Sequence, residues 1–131
     1  MQTAMKSKGQ MESEISESLT RFEKEHMGRG PLDIRTMIFS DVVFVRMRGV
    51  LTPAEKQLAQ SSGGGEGLRL IKRMRAELLE GASAILYKLI ADITGRGVIS
   101  MHTDISTVTG ERVLIFILDG CPNYREARKS K

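Results

Sequence analysis

The chain runs twice through the same plan, and that repetition restricts its fold more than any other feature. One stretch goes from Met27-Gly28-Arg29-Gly30 to Gly49, the other from Thr94-Gly95-Arg96-Gly97 to Gly120. Each follows a segment of helical period, turns on Gly-Arg-Gly, and continues as two strand-like segments to a closing glycine. Aligned on the glycines, Leu32, Ile34, Thr36 and Ile38 meet Ile99, Met101, Thr103 and Ile105. Val43, Val45 and Met47 meet Leu114, Phe116 and Leu118 once four extra residues are admitted in the second hairpin. Helix, strand, strand, twice over, predicts a two-layer α+β fold: an antiparallel four-stranded sheet with helices on one face.

The segments between these hairpins read as follows. Residues 1–10 are polar and are expected to form a disordered tail. Met11, Ile15, Leu19 and Phe22 then recur at helical spacing, and Gly28 and Pro31 end that helix. Strands are expected at Leu32–Phe39 and Val42–Arg48 with Ser40-Asp41 as the turn. Thr52-Pro53-Ala54-Glu55 opens a short helix, because Thr52 caps, Pro53 suits the first turn and Glu55 completes a capping box. Ser61-Ser62-Gly63-Gly64-Gly65 breaks it; without a Lys-Ser/Thr ending or a preceding strand, this run is a linker and no phosphate cradle. One long helix is expected over Glu66–Ile93, its buried stripe being Leu70, Met74, Leu78, Ala82, Ile85, Leu89 and Ile93, widened by Ile71, Leu86 and Ile90. Gly81 inside it permits close packing or a bend. The third and fourth strands follow at Val98–Thr107 and Arg112–Leu118, around a turn at Val108–Glu111. The single domain is thus residues 11–119, with repeat halves 11–49 and 66–119 joined through 50–65, and a basic tail at 120–131.

A chain of 131 residues is long enough for one core without staples. No apolar run approaches the roughly 20 residues of a spanning helix, and the N-terminus lacks a signal-peptide core. The lone Cys121 excludes an internal disulfide and suits a reducing cytoplasm. The net charge of +4 is misleading, because the ends carry it. Between Lys6 and Lys8 at one end and Arg125, Arg128, Lys129 and Lys131 at the other, residues 11–119 hold 14 basic and 15 acidic side chains. A folded nucleic-acid binder concentrates cations on the domain itself, so nucleic acid is not an expected partner.

Three groups of residues are site candidates. Arg29 and Arg96 occupy equivalent glycine-flanked corners, where they either join backbone N–H groups in an anion site or brace the corners through carbonyls. Ser100, His102, Asp104 and Ser106 share one face of the third strand, with His102 and Asp104 about 7 Å apart. That is half of an acid–base or metal site, or a surface hydrogen-bond pair; a third group such as His26 would be needed. The basic run Arg69, Lys72, Arg73 and Arg75 is a solvated face, or a surface for an acidic patch or anionic lipid. Both faces of the fourth strand are apolar, which leaves Val113, Ile115 and Ile117 pointing outward with Val42 and Phe44. Burying such side chains gains about 1.5–3 kcal/mol each, so this patch is expected to meet a second copy of the chain, unless the Pro53–Gln60 helix or the tail covers it. No catalytic constellation and no cofactor motif is recognisable.

Gly28-Arg29-Gly30-Pro31, Val50-Leu51-Thr52-Pro53-Ala54-Glu55-Lys56, His102-Thr103-Asp104-Ile105-Ser106 and Thr109-Gly110-Glu111-Arg112 resemble the signature blocks of the MpsC-like family of small bacterial proteins. The resemblance spans about residues 11–119. It implies a component of a sodium-translocating, membrane-potential-generating system, and a shared surface made by Arg29, His102, Asp104, Glu111 and Arg112. The expectation is a non-enzymatic cytoplasmic accessory subunit, homodimeric, peripheral to a membrane transport protein for sodium or inorganic carbon and not itself inserted. The alternatives are a small-molecule or anion sensor and, further off, an enzyme using His102 and Asp104.

Overall fold

Ser7 sets where the first helix begins. Its Oγ accepts from the Gln10 amide at 3.1 Å, while the Gln10 side chain accepts from the Ser7 amide at 2.8 Å. This capping box starts helix α1 at Lys8, inside the segment expected to be a disordered tail, and α1 runs Lys8–Met27. Gly28, at φ 97°, ends it in the left-handed conformation. The remaining elements are β1 (Asp33–Phe39), β2 (Val42–Arg48), α2 (Pro53–Ser61), α3 (Glu66–Gly81), α4 (Ser83–Thr94), β3 (Val98–Ile105) and β4 (Arg112–Leu118). This computed structural model describes residues 5–61, 65–106 and 109–125, Ser61 by its backbone alone. Thr107 and Val108, expected at a strand end and in a turn, lie outside the described residues, as does 126–131 of the basic tail.

The four strands form one antiparallel sheet in the order β1-β2-β4-β3. That order is symmetric about the β2–β4 boundary, as the repeated plan requires. Val43 pairs with Phe116 and Val45 with Leu114. Under the repeat alignment Val43 is the equivalent of Leu114 and Val45 of Phe116, so equivalent residues exchange partners across a local two-fold. The outer hairpins differ by two positions: Thr36 faces Val45, whereas its equivalent Thr103 faces Leu114. The longer β3–β4 connection absorbs the four extra residues in this way. In the short β1–β2 turn Ser40 takes φ 53°, the one non-glycine left-handed residue among those described.

Among the described residues, helices cover one face only. Ile38, Val43, Val45, Met47, Leu114, Phe116 and Leu118 point inward, under Met11, Ile15, Leu19 and Phe22 of α1 and Leu86 and Ile90 of α4. Leu32 and Ile99, which the repeat alignment placed in this layer, are exposed: Leu32 precedes β1, and a register shift falls between Val98 and Ser100. Leu32 instead rests over Gly49. A Cβ on Gly49 would lie 2.5 Å from Leu32 Cγ, on a backbone at φ +67°. Gly49→Ala is therefore expected to cost about 1–3 kcal/mol, read as a lowered urea midpoint, chiefly from the left-handed backbone.

The long helix is two helices. The chain leaves helical geometry at Ala82 (φ −105°, ψ 9°), between α3 and α4. The buried face is also not the stripe expected from apolar spacing. Gly67, Ile71, Arg75 and Leu79 of α3 are buried, followed by Ala82, Leu86, Ile90 and Thr94, while Leu70, Met74, Leu78 and Ile85 are exposed. An arginine in the middle of the inward row disguises it. Thr52 and Glu55 cap α2 as expected, and α2 packs against α3 on the helical side. Residues 121–125 return to the start of α1, where the Arg125 amide donates to the Lys6 carbonyl at 2.7 Å. Among the described residues neither α2, which packs on α3, nor 121–125 closes off the outer face of the sheet, where Val42, Phe44, Val113, Ile115 and Ile117 stay part-exposed.

Candidate functional site

Four charged side chains from four elements meet inside the fold. Glu23 stands one helical turn beyond Leu19 on the inward face of α1, and Arg75 one turn beyond Ile71 on α3. Arg112 occupies the inward position two residues before Leu114 on β4. Glu55, held by the cap of α2, completes the set. Glu23 is 0% exposed, and Arg75 and Arg112 are each 2% exposed.

The contacts alternate in sign. Arg75 donates through Nε to Glu55 Oε2 at 2.9 Å and through Nη2 to Glu55 Oε1 at 2.8 Å, a two-pronged pair. Its Nη2 also donates to the Val50 carbonyl at 2.8 Å. On the other side Arg112 Nη1 donates to Glu23 Oε2 at 2.7 Å. Glu23 Oε1 and Arg75 Nη1 lie 3.8 Å apart, and these two buried atoms have no hydrogen-bond partner among the described residues. A cavity of about 50 Å³ adjoins the cluster, lined by Arg75, Leu79, Thr103, Asp104 and Arg112 among others. Two carboxylates and two guanidiniums leave the cluster neutral overall, so it latches α1, α2, α3 and β4 together without presenting net charge.

Burial dominates the protonation of the two inner groups. It pushes the Glu23 carboxyl above the ordinary carboxylate range, only partly opposed by Arg112 and Arg75. It likewise lowers Arg112, against the pull of Glu23. Glu55 goes the other way. Its burial would raise it, but hydrogen bonds from Arg75 and from the Thr52 amide and hydroxyl outweigh that and hold it low.

The residues singled out by sequence are dispersed over the surface, apart from Arg75 and Arg112. Arg29 Nη1 donates to the Leu51 carbonyl at 3.2 Å and Arg96 Nε to the Cys121 carbonyl at 2.9 Å, so both arginines brace their corners through backbone oxygens. His102 is exposed, its Nε2 3.3 Å from Ser100 Oγ. Asp104 accepts from Lys72 at 3.2 Å, which with the Ile105 amide holds its carboxyl low. Glu111 pairs with Arg46 at 2.6 Å. His26 stacks on Phe22 with ring centroids 4.5 Å apart. Among the described residues no group of three His, Cys, Asp or Glu side chains is placed to hold a metal ion. The basic run on α3 is likewise broken up, with Lys72 on Asp104, Arg73 near Glu77 at 3.5 Å and Arg75 buried.

Outside the cluster, α3 carries an uncovered apolar row. Leu70 is 57%, Met74 43% and Leu78 46% exposed. Their spacing of four puts them on one side of the helix. Beside them an open groove of about 550 Å³ runs between α2 and α3, lined by Leu58, Gly67, Leu70 and the stems of Glu66, Arg69 and Arg73.

Residues 7–120 match the family described as "Na+-translocating membrane potential-generating system (MpsC)". A relative from Bacillus subtilis (strain 168), "Uncharacterized protein YbcI", is 47% identical over 113 residues, which are 86% of this chain and 89% of that protein. No solved structure matches.

Proposed function

The chain belongs to the MpsC family, and from that membership we propose that it is a non-enzymatic accessory subunit of a sodium-translocating, membrane-potential-generating system. No helix among the described residues is long and apolar enough to cross a membrane. On this reading the chain acts from the cytoplasmic side and reaches the membrane through a transport-protein partner. The observation that carries the proposal is the row Leu70, Met74 and Leu78 with its groove against Leu58. A water-soluble domain gains nothing from apolar side chains ranked along an outer helix face, whereas a groove between two helices accepts the apolar side of a partner helix. Arg69 and Arg73 on the rim favour a segment with acidic flanks.

The test is the sodium-dependent membrane potential of inverted vesicles from a host lacking the chain, to which purified protein is added back. Wild type is expected to sediment with the vesicles and restore the potential. Leu70→Glu combined with Met74→Glu, both on the surface, is expected to stay in the supernatant and restore none. A potential indifferent to the chain, or a double variant as active as wild type, would defeat the reading.

A further inference from the structure

We infer that the outer face of the sheet seats on a second copy of this chain, about a two-fold axis running close to the strand direction. This surface lies opposite the helical layer and is independent of the α3 groove. The pairing registers set it out in rows. Phe39, Val42, Ile117 and Ser100 form one row, and Met37, Phe44, Ile115 and His102 the next. Arg35, Arg46, Val113 and Asp104 form the third. The face is therefore apolar at one end and ionic at the other, with Met37 and Phe39 exposed.

Charge divides the same face the other way. Arg35, Arg46 and Arg48 stand on β1 and β2 with the single acid Asp33, while the other half carries Asp104, held at the β3 edge by Lys72 of α3, and Glu111 just before β4. Arg35 lies directly opposite Arg46, a like-charge cross-strand pair that costs stability in a lone sheet. Glu111 answers Arg46 at 2.6 Å and reaches Arg48 at 3.7 Å. Arg35 has no ion pair among the described residues.

A two-fold axis along the strands lays the β1–β2 half of one copy over the β4–β3 half of the other and keeps the rows in step. Phe44 then meets Ile115 of the second copy, Val42 meets its Ile117, and Arg35 comes over the β3 edge at Asp104, which it would share with Lys72. Arg46 and Arg48 come over the second copy's Glu111. An axis across the strands would instead press the apolar rows onto the arginines, so the charge pattern selects one orientation. Four strands at about 4.8 Å spacing and seven residues at about 3.4 Å give a footprint of roughly 19 by 24 Å. Side-chain relief enlarges that footprint of about 460 Å² toward the roughly 800 Å² per partner of a standard interface, packed as two aligned sheets.

Sedimentation equilibrium of the full chain tests this. Wild type is expected to be a dimer, and Phe44→Glu, which touches no inward position, to weaken association at least about a hundredfold. Arg35→Asp and Asp104→Arg are each expected to weaken it about tenfold. The two together are expected to restore it, because the axis pairs each position with the other. Lys72→Ala removes the intrachain partner of Asp104 and is expected to leave the dimer intact. A wild type still monomeric at millimolar concentration, a double swap no tighter than its singles, or a dimer lost with Lys72→Ala would each overturn the proposal.

Discussion

Arg75→Ala is expected to destabilise the fold by about 3–5 kcal/mol. That is a fall in melting temperature of roughly 10–20 °C for a chain of this size, measurable by calorimetry. The loss exceeds that of an ordinary surface arginine because of what remains. Glu55 loses both prongs of its pair, the Val50 carbonyl loses its donor, and Glu23 loses one of two neighbouring cations. Two carboxylates are then left with one guanidinium, that of Arg112, which among the described residues bonds Glu23 alone. Arg73→Ala, two residues earlier on the same helix but on its exposed side, is the control. Its pair with Glu77 spans 3.5 Å at the surface, and such pairs contribute about 0–1 kcal/mol. Similar losses for the two variants would mean that water reaches the cluster.

Local signals carried the secondary structure and long-range ones did not. Gly28, Gly95 and the Thr52-Pro53-Glu55 cap are read within a few neighbouring residues, and each marks a helix end where the structure has one. The strand pattern was legible because β2 and β4 alternate inward and outward with little interruption. The buried cluster was not, since Glu23 and Arg112 are 89 positions apart and nothing local announces their contact. Sequence alone places Arg112 on a surface, Glu55 only in a cap, and Arg75 in a solvated basic run. A usable signal was nonetheless present. Glu23, Arg75 and Arg112 each occupy the next periodic step of an apolar row, after Leu19, after Ile71 and before Leu114. Charges of both signs on inward positions of different elements have only one another to pair with. Counting apolar residues alone steers the reading to Leu70, Met74 and Leu78, the row the fold leaves outside.

The second large effect separates what the cluster does for stability from what it does for function. Glu23→Leu leaves Arg112 buried without its partner and is expected to cost about 3–5 kcal/mol, whereas Glu23→Leu with Arg112→Met is expected to recover most of that loss. The pH dependence adds a second reading with a definite sign. Because burial holds the folded Glu23 carboxyl above its unfolded value of 4.5, the folded chain binds that proton more tightly. Its contribution is therefore full below pH 4.5 and is lost as pH rises through the folded value. Glu55, held low, contributes above its unfolded value of 4.5 and is lost as pH falls through its folded one. Urea midpoints of wild type are expected to decline on both sides of about pH 4.5 on account of these two groups. In the double variant the decline above that pH should disappear while the acid limb remains. A stable double variant that no longer restores the vesicle potential would show that the four charges serve the work of the subunit and not its folding. One that restores it fully would make them an ionic latch that apolar packing can replace.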